Sequence, residues 1–331
     1  MATRSGLRRD EGLLTVIGAI NWDISIFEER FARPGEEVPV RQVEEFSGGK
    51  GANVAVASAR VLGKGRVAFV GALGEDEVAA KQISALRDEG VLTDGLFETR
   101  GSGSGRAYII VDSSGRKTIH THFGANETIT PRDLSSEGVS RILDRTRMMI
   151  VMDPPTKVAV AIARRTKARG ARVVYSPGVR SQEGIRSIAE MLRLSDCVAL
   201  DSHEVRNLYP ARDEPSAVER FKRAHPKLTL VTTLGPRGCM VAKDGVTSTI
   251  QGVELSMLGK RAVNSTGSGD AFLGVFTSFL FMGHNLLDAA NWANLAGALK
   301  ATRYETRGSP TRTELEAAMA RLKKFRRSLR G

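Results

Sequence analysis

Short apolar, β-branched runs alternate along most of this chain with longer stretches of helical period. The order begins LLTVIGA (13–19), ANVAVASARVLG (52–63), RVAFVGA (66–72) and the amphipathic stretch 75–89. It resumes with MMIVM (148–152), KVAVAIARRTKARG, ARVVYS (171–176), a helical segment after Ser181, DCVAL (196–200), LTLVTTLG (228–235) and a helical C-terminal third. A strand that rejoins its sheet in the parallel sense needs a crossover, usually a helix. The rhythm therefore predicts an α/β fold whose mostly parallel sheet carries helices on both faces.

Two segments break the rhythm. Residues 24–46 hold Pro34, Gly35 and Pro39 among Val38, Val40 and Val43, and GRAYIIVDSSGRKTIHTHF (105–123) reads as a hairpin turning between Ser113 and Gly115. Together they predict a small β layer inserted into the core as a lid over a site. No fixed-period repeat occurs, so the 331 residues are expected to form a single domain bearing that lid. His120 and His122 share one face of a lid strand, which predicts an exposed or substrate-facing strand rather than a metal site.

Composition narrows the function classes. The longest apolar stretch, 271–283, is shorter than the roughly 18–20 residues of a membrane span. Arg4, Arg8, Arg9 and Asp10 run straight into LLTVIGA, which is too short and strand-like for a signal peptide, so a cytoplasmic protein is expected. Cys197 and Cys239 stand alone, without a zinc or disulfide pattern. A formal net charge of +12 suits nucleic acid, an anionic membrane or phosphate-bearing substrates. Arg321, Lys323, Lys324, Arg326, Arg327 and Arg330 gather near the C-terminus, but no aromatic-interleaved strand or reader helix accompanies them. They read as a solvated basic face, and neither a membrane nor nucleic acid is the expected partner.

Two glycine-rich turns carry chemistry. In SGGKGANVAVASARVLG, Gly48, Gly49 and Gly51 let the backbone approach a ligand, and the helix that follows presents free N–H groups. It is not a Walker A loop, because the GxxxxG spacing is absent and Gly51 follows Lys50 where Ser or Thr belongs. Alone, it reads first as an ordinary loop-to-helix turn. In AVNSTGSGDAFLGVFTSFLFMG (262–283), Phe272, Val275, Phe276, Phe279 and Leu280 fall at helical spacing, so a buried helix starts near Asp270. The N–H groups of Gly267, Ser268 and Gly269 at that helix start make a site for the negative charge that grows during phosphoryl transfer. Asp270 itself reads either as an N-cap or as a catalytic carboxylate.

The two turns together, with Asn21-Trp22-Asp23 after the first strand, resemble the ribokinase-like (PfkB) family of carbohydrate and nucleoside kinases along nearly the whole chain. GGKGAN (48–53) matches the family's sugar motif unchanged, and NSTGSGD (264–270) is similar to its DTxGAGD signature. The resemblance implies that Asn21, Asp23, Gly48, Gly49, Lys50 and Asn53 contact substrate hydroxyls, with Asp270 as general base. Gly267, Ser268 and Gly269 would form the anion hole. It places Asp153, in IVMDPP, where the family has a sugar-binding glutamate. It assigns Thr233, Gly235 and Gly238 of TTLGPRG, and Asn294 of WANLAGALKATR, to the nucleotide.

Asp201-Ser202-His203-Glu204 stands for the family's NxxE element, which implies Mg²⁺ organised through water by Asp201 and Glu204. Asn264 replaces the aspartate of a potassium site, for which Glu305 in the loop 302–309 either supplies the missing charge or leaves potassium activation lost. The implied activity is transfer of the terminal phosphate of ATP to a primary hydroxyl, of D-ribose first, with a nucleoside or a phosphosugar as alternatives. A homodimer paired through the lids is also implied. A different class, a basic nucleic-acid-binding or regulatory protein on a kinase fold, has the intact Asp270 against it.

Overall fold

The computed structural model describes residues 12–328, so Arg4, Arg8, Arg9, Asp10 and Arg330 lie outside the described residues. Within it run β1 (Leu13–Gly18), β2 (Asn21–Glu28), β3 (Val40–Gly48), β4 (Val67–Gly74), β5 (Leu92–Thr99), β6 (Gly105–Val111), β7 (Lys117–His122), β8 (Thr146–Met152), β9 (Arg172–Ser176), β10 (Cys197–Asp201), β11 (Thr229–Thr233), β12 (Gly238–Lys243) and β13 (Val246–Gln251). Nine strands form one sheet in the order β13-β12-β11-β10-β9-β8-β1-β4-β5. All its pairings are parallel except β11 with β12 and β12 with β13.

Alternation along the strands divides the core between the two faces of this sheet. Leu14 and Val16 of β1, with Met148 and Ile150 of β8, join the helices Lys50–Leu62, Ser268–Phe281 and Leu286–Lys300 on one face. Leu13 and Ile17, with Met149 and Val151, join the helices Thr156–Ala168, Ile185–Leu194 and Glu214–Ala224 on the other. Both faces are covered, which is why β1 and β4 are buried along their whole lengths. The expected α/β class is the one observed. Its strand inventory is larger than the sequence reading, with β5 at one edge and the hairpin β12–β13 at the other.

β1 lies between β4 and β8, so the chain builds one side of the sheet, returns, and builds the other. Open α/β sheets leave a crevice outside the carboxyl ends of their strands at such a switch point. The second sheet, β3-β2-β6-β7, stands over that crevice. It takes in more chain than the two segments read as a lid, because β2 starts at Asn21 and β3 runs on to Gly48. Asn21 and Asp23 are therefore lid-strand residues. On β7, Ile119 and Thr121 line the crevice, while the exposed His120 and His122 take the opposite face. No helix among the described residues is long and apolar enough to cross a membrane.

Candidate active site

Two helix starts meet in the crevice. The helix Lys50–Leu62 follows Gly49, whose φ of 88° and approach to Ile20 Cα and Asn21 N leave no room for a Cβ. The helix Ser268–Phe281 follows Gly267, whose φ is 83° and whose Cβ would strike the Thr306 carbonyl. The two helices pack closely enough that a Cβ on Gly274 would stand 2.6 Å from Ala57 Cβ. That packing brings Asn53, one turn into the first helix, against Asp270, and Asn53 Nδ2 donates to Asp270 Oδ2 at 2.9 Å.

Asp270 is not an N-cap. The helix begins at Ser268 with Gly267 as its cap, which puts Asp270 inside the first turn. The first bond of the helix runs from Ala271 N–H to the Gly267 carbonyl at 2.9 Å. Gly269 and Asp270 precede it, so their N–H groups have no acceptor within the helix. The Ser268 N–H is spent on the Ser265 carbonyl at 3.1 Å, which withdraws one donor of the expected anion hole.

A cavity of about 300 Å³ joins these parts. Asn21, Asp23, Gly49, Lys50, Asn53 and Asp270 line it together with Gly267, Gly269 and Thr233. Ala107, Ile109 and Ile119 of the lid supply its apolar roof. Lys117 of β7 donates to Thr266 Oγ1 at 2.5 Å, so the lid also touches the glycine-rich turn.

Burial dominates the electrostatics. It pushes the Asp270 carboxyl up, against the Asn53 hydrogen bond and the positive charges of Lys50, Lys300 and Arg307. It lifts Asp23 to about 7, with Arg307 opposing. Burial also works against the Lys50 ammonium, but Asp153, Asp270, Glu204 and Asp201 outweigh it and hold its pKa above the ordinary lysine value. Lys50 is reached by solvent through the cavity mouth, so its field is partly screened.

Other expected residues lie around this cavity rather than on it. Asp153 follows β8 with a φ of 51°, and burial lifts it to about 6 while Lys50 opposes. Its Oδ1, the Ser268 Oγ and the Arg307 Nη1 are buried polar atoms without a partner among the described residues. Gly48 offers its carbonyl to Arg307, and a Cβ there would collide with the Asp23 carboxylate.

The turn 233–238 separates this cavity from a second one of about 640 Å³. Leu234, Pro236 and Arg237 line the second cavity, while Gly235 and Gly238 hold the turn at φ 61° and 102°. Asn294 Nδ2 donates at 2.6 Å to the carbonyl of Gln251, one of that cavity's walls.

Asp201 and Glu204 form a capping box: Asp201 Oδ1 accepts from the His203 and Glu204 N–H groups, and Glu204 Oε2 from the Asp201 N–H. Each carboxylate keeps one oxygen for the cavity they both line. No group of three or more His, Cys, Asp and Glu side chains able to hold a metal occurs among the described residues. These two carboxylates therefore fit Mg²⁺ as outer contacts through water.

The residues at the expected potassium site do not fit that ion. Asn264 Nδ2 donates to the Tyr304 carbonyl at 2.8 Å, and Asn264 Oδ1 accepts from the Thr266 N–H at 3.0 Å. Lys300 Nζ donates to the carbonyls of Asn264 and Arg303, at 2.9 and 3.3 Å. N–H donors occupy oxygens that a potassium ion would need. Glu305 is exposed.

The sequence profile of pfkB family carbohydrate kinases matches residues 12–313. The chain belongs to this family. Among its relatives, the ribokinase of Haemophilus influenzae is 30% identical over 91% of this chain and 96% of its own. That of Staphylococcus aureus is 27% identical over 89% and 95%. The structure of Arabidopsis thaliana ribokinase complexed with ribose and ATP superposes with a TM-score of 0.82 at 23% identity, over 92% of this chain and 98% of that one.

In this pfkB-family chain, one cluster escaped the sequence reading. Buried Arg307 donates to the Gly48 carbonyl at 2.7 Å, Asn53 Oδ1 at 3.2 Å and Gln82 Oε1 at 3.1 Å. Gln82 Nε2 in turn holds the Asn21 carbonyl, and Asn126 Nδ2 holds Asn21 Oδ1 at 2.9 Å. Arg307, Gln82 and Asn126 thus fix three of the expected sugar contacts.

Proposed function

We propose that the protein is an ATP-dependent ribokinase that phosphorylates the 5-hydroxyl of D-ribose. The observation that carries this reading is the convergence of Asn21, Asp23, Lys50 and Asn53 on one buried carboxylate, Asp270, beneath a lid. Such a set of polar groups suits a small polyol, and ribokinases over nearly the full chain support it.

The substrate oxygen attacks the γ-phosphorus while Asp270 takes its proton, and the bond to the β-phosphate oxygen breaks to release ADP. The N–H groups at Gly267 and Gly269 receive charge developing on the transferred phosphoryl. Lys50 adds a positive charge at the same place. Asp201 and Glu204 would hold Mg²⁺ through water, and the ion would supply positive charge against the phosphates. The turn with Thr233, Gly235 and Gly238 holds the phosphates, and the second cavity beside Asn294 takes the base. The lid keeps water from the γ-phosphate. Its exposed Val40 and Val43 on edge strand β3 are the surface through which two lids pair. A cytoplasmic ATP pool and a single catalytic domain complete the reading.

A panel of acceptors tests it. By ADP release, ribose should be the best acceptor, with 2-deoxyribose lower in kcat/KM by roughly 10- to 100-fold, as for the loss of a hydrogen bond to a charged group. Cytidine as best acceptor would mean that the short Asp153 side chain makes room for a nucleoside, and the ribokinase reading would fall.

A further inference from the structure

Lys300 closes the helix Leu286–Lys300, in which Asp288 is the one other charged residue, and is fully buried. An ammonium in that position needs carbonyl partners, and the fold supplies two from different segments. Asn264 opens the segment that leads to Gly267, and Arg303 lies in the loop after Lys300 itself. The Lys300 Cε stands 3.5 Å from the place a Cβ on Gly267 would take, directly behind the residue that caps the anion-binding helix. Asp270 lies within its electrostatic reach. A cation at the C-terminal end of its own helix is also favoured by the helix dipole.

We infer that the Lys300 ammonium is the built-in cation of this phosphoryl-transfer site, occupying the carbonyls of the two loops and making the enzyme independent of potassium. The inference rests on the kinase reading only for its rate measurements. Lys300 is a positioning residue: it fixes the Asn264 and Arg303 loops and places a positive charge behind Gly267 without touching the reacting atoms, although burial brings its ammonium down to about 8. The Asn264 side chain serves the same end, because its amide N–H binds the Tyr304 carbonyl, where an aspartate would repel it.

The test exchanges potassium chloride for tetramethylammonium chloride at fixed ionic strength. In the wild-type protein the melting temperature, the affinity for a non-hydrolysable ATP analogue and the rate should all stay the same, the rate within about twofold. In Lys300→Ala, potassium should raise the melting temperature by about 2 °C or more and restore part of a rate that has fallen at least roughly tenfold. The neutral Lys300→Met, which fills the same space, should lose rate without gaining a potassium response.

Potassium activation of the wild type beyond about threefold would overturn the inference. So would a folded Lys300→Ala protein with full rate and no potassium response. Should neither variant fold, the wild-type titration decides. The melting and nucleotide-binding measurements need no acceptor, so they remain informative even if ribose proves to be the wrong substrate.

Discussion

Two acidic helix starts face the same cavity and use their backbone in opposite ways. At Asp201 the helix caps itself, each carboxylate closing on the other's N–H. At Gly267 no side chain caps the helix, and its acidic residue, Asp270, turns instead to Asn53 on another helix. A self-capped start has spent its donors and offers only leftover carboxylate oxygens. An uncapped start leaves N–H groups, here those of Gly269 and Asp270, without an acceptor in the helix, and its carboxylate is not tied up in capping. A carboxylate at the third helical position, Glu204 in one helix and Asp270 in the other, thus takes different partners, decided by what stands across from it.

Replacing Asp270 should break the contrast most completely. Asp270→Asn keeps the hydrogen bond from Asn53 and removes a carboxylate that burial disfavours, so the fold should melt no lower than wild type. Turnover should drop by at least roughly 10² to 10⁴ fold, the range of a positioned general base. Unchanged turnover in single-turnover and steady-state assays would return Asp270 to a structural role.

The glycines sharpen it next. Gly267→Ala forces a side chain into φ 83° and against the Thr306 carbonyl, so about 1–3 kcal/mol of stability should go with the activity. At Gly269 a Cβ meets nothing within 4 Å, so the requirement for positive φ belongs to Gly267 and not to its neighbour. Gly269→Ala should hold its melting temperature while raising the KM for ATP. Equal destabilisation of both variants in thermal melts would erase the distinction.

Asp153 offers a smaller effect with a defined sign. Folding raises its carboxyl from 3.8 to about 6, so it favours the fold below pH 4 and loses that contribution as pH climbs through 6. Asp153→Asn removes the penalty and suits the φ of 51°, so it should gain up to about 3 kcal/mol at pH 8 and clearly less at pH 5. An equal gain at both values would leave only the backbone effect.

The smallest change is expected at the self-capped start. Asp201→Ala should cost about 1 kcal/mol by chemical denaturation without Mg²⁺, the ordinary loss of an N-cap.

The βαβ rhythm made the main sheet legible, because β-branched runs buried on both faces leave a plain signal. The hairpin β12–β13 was missed although Asp244 and Gly245, at φ 48° and 79°, form the Asp-Gly turn that announces it. The helix start at Asp270 was misplaced because apolar spacing fixes the helix only from Phe272 onward, while a glycine cap has no side chain to declare itself. The residues expected at the sugar came from the resemblance of two motifs taken together, since the first of them alone reads as an ordinary loop-to-helix turn. Arg307 and Lys300 were not legible, since a charged residue reads as surface until its distant partners are known. The one local hint was a lysine directly after the apolar run Leu295–Leu299.

Arg307 also has a consequence for how the molecule is made. Its guanidinium reaches the Gly48 carbonyl across 259 residues of chain. At ordinary elongation speeds roughly 13–50 s separate the synthesis of those two positions. Through most of that interval a nascent chain carries the first glycine turn and Gln82 without the group that ties them together. An unfinished polypeptide on the ribosome therefore lacks the tie that joins Gly48, Asn53 and Gln82 until Arg307 has been made.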